Sequence, residues 1–225
     1  MSIYAIIPAK NKSIRLKNKN FLKFSGKSLY EIVARNCIIS KCFDKIIIST
    51  DRKNLKFKFK DKKIIINNRP KTLSSKSATV AQVTSYIIKK YGFSKKDIFF
   101  IIYPTAILIN GNIIRKSFLE FKKKKMKYLM SVQKYQNSPI KALKKFGKLY
   151  NPIFKKKILE QTDKNYVFSD GGFYWYKVSY FLKYLNFYPK EINGFVLTKY
   201  QNIDLDDKDD LNTLKKIIKL NNIKF

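Results

Sequence analysis

Short apolar runs alternate with stretches of helical periodicity along this 225-residue chain, and this alternation constrains its fold more than any other feature. Residues 97–103 are apolar almost throughout, which is typical of a strand that a parallel sheet buries on both faces. Residues 29–40 instead repeat their apolar positions at the spacing of one helix face. Strands and helices in this alternation predict an α/β fold in which right-handed crossovers join the strands of one sheet.

The same reasoning locates the other elements. The predicted strands are residues 3–8, 45–49, 63–66, 97–103, 128–133, 173–176 and a strand near 195–200. The predicted helices are residues 29–40, 79–91, 112–121, a helix near 178–185 and residues 207–220. Residues 134–168 break this rhythm, so we predict an inserted segment there that contributes to dimerisation or to the substrate pocket. The length fits a single domain spanning residues 1–225.

The sequence also favours one compartment. Its longest apolar runs are far too short to span a bilayer, so no membrane association is expected. The amino terminus has no basic region ahead of its apolar run, which therefore reads as a strand and not as a signal peptide. With only Cys37 and Cys42, no disulfide framework is implied, and we expect a packing role for both thiols. These features predict a cytoplasmic protein.

The formal net charge of +34 invites a nucleic-acid interpretation. The positive residues, however, are 44 lysines and only five arginines. Proteins that read nucleic acids favour arginine, because its planar guanidinium bonds phosphates and bases through two N–H groups at once. We therefore interpret most lysines as a solvated surface produced by a compositional bias, and we expect no specific nucleic-acid partner. The charge still attracts anionic substrates.

A polar segment with five cations follows the first predicted strand, at residues 8–20. Ligands of such sheets bind at the carboxyl ends of the strands. A segment of this kind can wrap a triphosphate with backbone N–H groups and side-chain charges. It lacks the glycine-rich pattern of a Walker loop. From the residues alone, a phosphate-binding loop and a plain basic surface loop remain equally compatible with this segment.

Five of the fifteen acidic residues fall within residues 204–210. If residues 203–205 end a strand, Asp204 and Asp206 project to the same side, because strand side chains repeat every two residues. Two carboxylates suit Mg²⁺, which binds one or two carboxylates together with substrate phosphates. The later acids, Asp207, Asp209 and Asp210, favour the start of a helix by capping it and opposing its dipole.

Two adjacent glycines, Gly171 and Gly172, follow Asp170 and precede an aromatic strand. Adjacent glycines allow a close backbone approach or a bulge near a ligand. Trp175 and its neighbouring tyrosines are interpreted as core residues. The chain contains no histidine, which excludes histidine-based triads, histidine general bases and most zinc sites.

Together these motifs resemble, in order along the chain, those of the acylneuraminate cytidylyltransferases. Residues 5–10 followed by Ser13, Arg15, Lys19 and Asn20 are similar to that family's signature loop. The similarity continues through residues 46–51, 69–70, 73–74, 78–79 and 203–206. The resemblance implies a Rossmann-like, mostly parallel sheet with helices on both faces, and a homodimer formed through the inserted segment. It also implies that the anomeric hydroxyl of an acidic nine-carbon sugar attacks the α-phosphate of CTP and releases pyrophosphate.

The resemblance assigns roles to individual residues and implies Mg²⁺ as cofactor. Nucleotide binding is implied for Lys10, Ser13, Arg15, Lys19, Asn20 and Arg69. A catalytic role is implied for Lys19, Asp204 and Asp206, and the two aspartates would hold Mg²⁺. The sugar pocket is implied to include Tyr103, Thr105, Asp170 and Gly172. The Tyr103–Pro–Thr–Ala segment resembles the branch that uses pseudaminic acid, whereas sialate enzymes usually carry Gln in place of the Tyr.

The signature loop departs from the family pattern Arg-Gly-Gly-Ser-Lys-Arg. Lys10 replaces the first Arg, Asn11 and Lys12 replace both glycines, and Ile14 replaces the Lys. A lysine keeps the charge of arginine but loses its bidentate geometry. Two alternatives to an enzyme for pseudaminic acid therefore remain. One is the same chemistry on sialic, legionaminic or ketodeoxyoctonic acid. The other is a catalytically degenerate basic binding protein built on the same fold.

Overall fold

The computed structural model describes residues 1–11, 13, 16–55, 57, 59–75, 77–135, 138–154 and 166–225. Among the residues that the sequence implicates, Arg15, Lys12 and Ile14 lie outside the described residues. Every other predicted site residue falls within them.

The elements follow one another in nearly the predicted order. The strands are β1 (Ile3–Pro8), β2 (Lys23–Phe24), β3 (Lys27–Ser28), β4 (Lys45–Thr50), β5 (Ile64–Asn68), β6 (Ile98–Ile102), β7 (Tyr128–Lys134), β8 (Leu143–Phe146), β9 (Leu149–Pro152), β10 (Val167–Lys177) and β11 (Gly194–Leu197). The α-helices are α1 (Leu29–Ser40), α2 (Val80–Lys90), α3 (Gly111–Lys123), α4 (Val178–Tyr184) and α5 (Lys208–Leu220). Short 3₁₀ turns occur at Lys19–Phe21, Lys71–Ser74 and Pro139–Lys141.

Within the described residues, seven strands form one sheet in the order β11-β7-β10-β6-β1-β4-β5. The strands β6, β1, β4 and β5 are mutually parallel. The strand β10 is antiparallel to both of its neighbours, β6 and β7. The sheet is therefore mixed but mostly parallel, which confirms the predicted α/β class. The strand predicted at residues 97–103, β6, is parallel to β1 and antiparallel to β10.

Helices cover both faces of the sheet. On one face, α1, α3 and α5 pack against side chains such as Ala5, Ile48 and Phe100. On the other, α2 and α4 pack against alternating neighbours such as Ile6 and Phe99. This division follows from the two-residue period of strand side chains. It explains why β6, which is covered on both sides, is apolar without interruption.

Trp175 of β10 lies fully buried in the first of these layers. Its indole N–H donates to Ser117 Oγ at 2.9 Å, and its ring stacks on Phe43 at 5.5 Å between centroids. A buried indole N–H needs such an acceptor. The interpretation of this residue as core is confirmed. Cys37 is likewise buried in the core, and burial raises the pKa of its thiol.

The aspartates at the start of α5 cap the helix as the sequence predicts. Asp207 Oδ1 accepts from the backbone N–H groups of Asp209 and Asp210, at 2.9 and 3.0 Å. In turn, Asp210 Oδ2 accepts a hydrogen bond from the backbone N–H of Asp207 at 3.0 Å. This reciprocal pairing is a capping box, and it satisfies N–H groups that a helix start leaves without partners.

Residues 203–205 do not end a strand, so the condition under which Asp204 and Asp206 would project to the same side is not met. The last sheet strand stops at Leu197, and the chain then turns, with Gln201 N donating to Thr198 O at 3.0 Å. Residues 202–206, which we call the acidic loop, connect this turn to α5 without strand pairing. The two-residue period of a strand therefore does not determine where Asp204 and Asp206 point.

The adjacent glycines form a bulge in β10. Ser169 pairs with Val132 of β7, and the next pair joins Tyr174 to Met130, so residues 170–173 stand opposite one residue of β7. Gly171 has φ +65°, in the region that favours glycine. We call residues 170–173 the glycine bulge. The bulge interpretation of the sequence is confirmed.

The segment that breaks the sequence rhythm forms an antiparallel hairpin, β8–β9, in its described part. Its apolar side chains are exposed, among them Leu143, Phe146, Leu149 and Tyr150. Residues 138–154 thus form a small arm outside the main sheet. The role of this arm in dimerisation stays a prediction. In the part of the chain that the structure covers, none of the helices combines the length and apolar character that crossing a membrane requires.

Candidate active site

The carboxyl ends of four parallel strands meet at one edge of the sheet, where ligands of such folds bind. Each strand is followed there by a polar or charged residue that could contact a ligand. Lys10 and Asn11 follow β1, Asp51 follows β4, Arg69 follows β5 and Tyr103 follows β6. We therefore place the candidate active site at this edge.

The segment after β1 folds back on itself through its own polar groups. We call residues 9–22 the first loop. Asn20 is buried, and its Nδ2 donates to Lys10 O at 2.8 Å. Ser13 Oγ accepts from the backbone N–H of Lys19 at 2.9 Å. Of the predicted nucleotide-binding residues, the structure thus gives Asn20 and Ser13 the role of holding the described part of the loop in shape.

Two further contacts fix the first loop to the neighbouring strand ends. Asp51 Oδ1 accepts from the backbone N–H of Asn11 at 2.6 Å. Lys10 Nζ donates to Ser75 O at 2.6 Å, which brings the loop beside the segment that follows Arg69. Sequence reasoning included Asp51 only in a strand motif and gave it no role. Its position directly after a buried parallel strand was the available signal.

Arg69 is held against the end of β4. Its Nη2 donates to Ser49 O at 2.9 Å and its Nε to Ser49 Oγ at 3.3 Å. Burial lowers the pKa of its guanidinium, and the nearby Asp51 carboxylate opposes that effect. Arginine nevertheless stays protonated at neutral pH because its pKa is so high. The edge therefore carries a fixed, partly desolvated positive charge beside the first loop.

Lys19 joins the first loop to the acidic loop. Its Nζ lies 3.0 Å from Asp206 Oδ1 and donates to Leu205 O at 2.8 Å. Both side chains of the ion pair are partly shielded, with 22% and 25% of their surface exposed. The structure thus brings together two of the three predicted catalytic residues, which are 187 positions apart.

Asp204 lies next to the glycine bulge and to Tyr103. Its Oδ2 is 3.7 Å from the position that a Cβ would take on Gly171. The pKa of Tyr103 is raised to about 12, chiefly by burial and also by the nearby Tyr188 and Asp204. Asp204, the bulge and the end of β6 therefore border the same space.

Tyrosines and a serine form a cluster at this place. The rings of Tyr103 and Tyr174 meet edge to face at 6.2 Å, and Tyr188 Oη donates to Ser169 Oγ at 3.2 Å. The pKa of Tyr174 is also raised, chiefly by burial and in part by the nearby Tyr103. Sequence reasoning missed Tyr188 and Ser169. Their local patterns carry no signal, because only the folding of residues 186–188 onto β10 brings them together.

The remaining predicted sugar-pocket residues are buried. Thr105 is buried in the turn after β6. The Asp170 carboxylate accepts a hydrogen bond from Ser131 Oγ and another from the backbone N–H of Gly172, at 3.1 Å. A Cβ on Gly172 would stand 2.7 Å from Ile109 Cδ1 and 2.8 Å from Ser131 Oγ. Gly172 is required at its position by this close packing, and the role of the three residues in a sugar pocket stays a prediction.

The donor set of the acidic loop fits a Mg²⁺ ion that substrate phosphates complete. Asp204 and Asp206 supply carboxylate oxygens, the ligands that this hard cation prefers. Among the described residues no group of three or more acidic or thiol side chains could hold a metal alone. Mg²⁺ typically uses one or two carboxylates plus phosphate oxygens, so a pair suffices in a nucleotide site.

Comparison with known proteins bears directly on this geometry. Residues 4–224 match the family model described as "Cytidylyltransferase", which covers nearly the whole chain. The chain belongs to the cytidylyltransferase family. The match spans every strand end and both loops that build the site, and it confirms the family resemblance drawn from the sequence motifs.

Two similar relatives are named for enzymes of acidic sugars. This cytidylyltransferase is 25% identical, over 227 residues and 98% of both chains, to the pseudaminic acid cytidylyltransferase of Campylobacter jejuni strain 81-176. It is 24% identical, over 234 residues and 98% of both chains, to the CMP-N,N'-diacetyllegionaminic acid synthase of Legionella pneumophila.

Solved structures share the fold of this cytidylyltransferase. One is the CMP:2-keto-3-deoxy-manno-octonic acid synthetase in complex with CTP, with a TM-score of 0.69, 13% identity and coverage of 98% of this chain and 100% of the other. Another is the 2-C-methyl-D-erythritol 4-phosphate cytidylyltransferase of Francisella tularensis, with a TM-score of 0.67, 15% identity and coverage of 96% and 100%. At such identities the likeness shows the fold alone, and it confirms the Rossmann-like prediction.

Proposed function

We propose that this cytidylyltransferase transfers CMP from CTP to the anomeric hydroxyl of a nonulosonic acid, and that the acid is pseudaminic acid. In this reaction the sugar oxygen bonds to the α-phosphorus, the bond to the bridging oxygen of the leaving group breaks, and pyrophosphate departs. The hydroxyl proton is lost to solvent. Support comes from the family match and from the names of the full-length relatives.

The observation that carries the proposal is the contact between Lys19 and Asp206. It places a cation of the first loop directly beside a carboxylate of the acidic loop. A triphosphate bound at the strand ends needs cations for its oxygens and a carboxylate pair for its metal. The contact supports a single site with both, in which Lys19 neutralises charge on the phosphates.

The nucleotide is proposed to lie across the first loop, between Lys19 and Arg69. Lys10, Arg15 and Lys19 supply positive charge from the loop, and Arg69 supplies it from the end of β5. Ser13 and Asn20 maintain the shape of the loop through the contacts described above. Positioning and charge neutralisation of this kind account for most of the catalysis of phosphoryl transfer.

We propose Mg²⁺ as the cofactor, held by Asp204 and Asp206. When bound, the ion would neutralise phosphate charge and polarise the reacting phosphorus–oxygen bonds. Lys19 keeps Asp206 in place and balances its charge before a nucleotide arrives. Asp204 would reach the same nucleotide from the side of the glycine bulge.

The sugar is proposed to bind beside Tyr103 and the tyrosine cluster, with Thr105, Asp170 and Gly172 shaping the floor. Hydroxyl groups of Tyr103 and Tyr188 offer hydrogen bonds to a polyhydroxylated substrate, and the rings offer apolar contact. The assignment to pseudaminic acid rests on Tyr103 in its sequence motif and on the Campylobacter relative. The Legionella relative supports legionaminic acid as the second candidate.

A homodimer and a cytoplasmic location are part of the proposal. The β8–β9 arm exposes apolar side chains that a second copy would cover, with Leu149 at 70% and Tyr150 at 60% exposure. The two free cysteines support the location, because a reducing compartment keeps thiols unpaired.

Pyrophosphate release tests the proposal. The protein is incubated with CTP, Mg²⁺ and pseudaminic acid, and wild type is compared with Asp206→Ala and with the control Asp209→Ala on the exposed start of α5. We expect release that requires the sugar and the metal, is lost in Asp206→Ala and persists in the control. Release with legionaminic or sialic acid but not with pseudaminic acid would replace the sugar assignment. No release with any of these acids, nor with ketodeoxyoctonic acid, would favour the degenerate basic binding protein.

A further inference from the structure

A buried polar network joins β7, the glycine bulge and the acidic loop. Its side chains are Ser131 and Gln133 of β7, Asp170 of the bulge and Asn202 of the acidic loop. Each is at most 8% exposed. Ser131 and Gln133 are two residues apart on one strand and therefore face the same side of the sheet. Polar groups are costly to bury unless all are paired, and among the described residues no buried side-chain nitrogen or oxygen lacks a partner.

The carboxylate of Asp170 is occupied by donors of its own chain. Oδ1 accepts from Ser131 Oγ and from Gly172 N, and Oδ2 accepts from Gln133 Nε2 at 3.4 Å. Ser131 Oγ in turn accepts from the backbone N–H of Phe173 at 3.0 Å. The Asp170 carboxylate therefore holds the glycine bulge in its conformation.

Asn202 ties the acidic loop to this network by both its side chain and its backbone. Its Nδ2 donates to Asp170 O at 2.7 Å, and its carbonyl oxygen accepts from Gln133 Nε2 at 2.9 Å. Two residues later, Asp204 lies against Gly171 of the bulge. At the other end of the loop, Asp206 N donates to Asp210 Oδ2 at 2.8 Å. The loop that carries both proposed metal ligands is therefore anchored at each end.

We propose that Asn202, Gln133 and Asp170 are positioning residues, which hold the acidic loop against the glycine bulge and so fix where Asp204 and Asp206 offer their carboxylates. The inference rests on the proposed function, since those carboxylates matter only if a metal and a nucleotide bind there. Asp204 and Asp206 are two residues apart and carry like charges that repel each other, so a loose loop would separate them. A fully satisfied buried network selects one arrangement in advance, which is how a site avoids reorganisation during the reaction.

The first test compares Asn202→Ala with a matched control, Asn221→Ala. Asn221 Nδ2 also makes one hydrogen bond to a backbone carbonyl, Ile217 O at 2.9 Å, but outside the network. Hydrogen exchange of the amides of residues 203–206 is measured by mass spectrometry without substrate. We expect exchange to rise about tenfold or more in Asn202→Ala, because the loop opens locally more often, and to stay at the wild-type rate in the control.

The second test follows the metal through the reaction. For Asn202→Ala we expect the Mg²⁺ concentration at half-maximal pyrophosphate release to rise severalfold and kcat to fall by about 10²-fold, as displacement of a reacting group by about 1 Å can do. The KM for the sugar should change little. If Asn202→Ala does not fold, Asn202→Asp, which keeps the size but replaces the donor by an acceptor facing Asp170 O, serves in its place.

A third comparison distinguishes positioning by Asp170 from direct sugar contact. Asp170→Asn keeps the Oδ1 acceptor for Ser131 and Gly172 and loses only the longer 3.4 Å contact from Gln133 Nε2, whereas Asp170→Ala loses all three acceptor contacts. Positioning predicts that exchange of residues 203–206 rises in Asp170→Ala and is restored in Asp170→Asn. A raised KM for the sugar in both variants, with unchanged exchange, would overturn the inference for Asp170.

The tests separate this inference from the proposed function. Wild-type protein that releases no pyrophosphate with any acid would refute the proposed function. The comparison of hydrogen exchange between wild type and Asn202→Ala would still test whether the network holds the acidic loop. Active wild-type protein with identical exchange in wild type and Asn202→Ala would refute the network and leave the function standing.

Discussion

Lys19 Nζ lies 3.0 Å from Asp206 Oδ1 and also donates to Leu205 O, so one ammonium group holds two loops together. The first loop leaves the sheet at the end of β1, and the acidic loop leads into the last helix. Neither loop alone contains both a cation cluster and a carboxylate pair. The contact between them creates the combination that a metal–triphosphate complex requires.

Replacing Lys19 should therefore impair both loops. We expect Lys19→Met to lower kcat/KM for CTP by about 10²- to 10³-fold, the cost of removing one electrostatic contact to a developing charge. Pyrophosphate release at varied CTP measures this loss. Lys124→Met is the matched control, because Lys124 pairs with Glu120 at 2.7 Å on an exposed helix face and such pairs contribute about 0.5 kcal/mol or less. Equal activity of the two variants would contradict the role of Lys19.

A methyl group at Gly172 should disturb the floor of the site. In Gly172→Ala the new Cβ would overlap Ile109 Cδ1 and Ser131 Oγ, and overpacking of this kind costs about 1–3 kcal/mol of unfolding free energy. We expect urea denaturation to show that loss, together with reduced activity of the folded fraction. Gly92→Ala provides the comparison, because Gly92 has φ +61° and no atoms within 4 Å of an added Cβ. That variant should lose stability by backbone strain alone and keep its activity.

The ionisation of Tyr103 should lower the free energy of unfolding at alkaline pH. Its pKa in the folded protein is raised from 10.0 to about 12, by burial first and then by Tyr188 and Asp204. Below pH 10 the Tyr103 phenol is neutral in the folded and in the unfolded protein, and its contribution to the unfolding free energy is fully present. Between about pH 10 and 12 the unfolded chain ionises first, so the unfolding free energy decreases.

The comparison of wild type with Tyr103→Phe measures this contribution. Urea midpoints are recorded from pH 9 to 12, and we expect a shallower decline in the variant. Tyr200→Phe, at an exposed position, is the control and should follow wild type. Parallel curves for wild type and Tyr103→Phe would show that Tyr103 titrates alike in both states.

The net charge of +34 should make nucleotide capture sensitive to salt. Raising KCl from about 50 to 300 mM shortens the range of electrostatic attraction, so we expect the KM for CTP to increase severalfold. The kcat should stay nearly constant, since contacts inside the bound complex are screened less. Initial rates across the salt series provide both constants. Tight binding to single-stranded nucleic acid with a steep salt slope, and no turnover, would instead support the basic binding protein.

The exposed arm should control oligomeric state. We expect Leu149→Lys to shift the protein from dimer to monomer in sedimentation velocity, because a charge would be buried where apolar groups of two copies meet. Leu220→Lys is the control, at a more exposed position on the last helix. Wild-type protein that sediments as a monomer at all concentrations would contradict the dimer proposal.

Local periodicity was sufficient to predict most elements of the fold. The boundaries of α1 agree to the residue because its apolar spacing marks them, and those of α5 agree within one residue because capping aspartates mark its start. The apolar run of β6 revealed its burial on both faces. The family motifs, which cluster at strand ends, led to the carboxyl edge where Lys10, Arg69 and Tyr103 are found.

Other features depend on long-range contacts and could not be predicted in this way. The antiparallel direction of β10 has no signature in its own residues, since a buried strand is apolar whichever way it runs. The strand predicted near residues 195–200 ended early, because the pairing of β11 with β7 stops at Leu197 opposite Gln133 and the chain then turns. The polar network around Asn202 joins residues up to 69 positions apart and was invisible for the same reason.

The departure of the arm from the sheet has a practical consequence for protein engineering. Residues 135 and 166 are hydrogen-bonded across the ends of β7 and β10, with Tyr135 N donating to Tyr166 O at 3.2 Å. The chain between these two residues therefore leaves and re-enters the sheet at adjacent positions of β7 and β10. A short type I′ turn can replace it without changing the register of either strand. The activity of such a minimal protein would show whether the chemistry needs the segment through which a dimer is proposed.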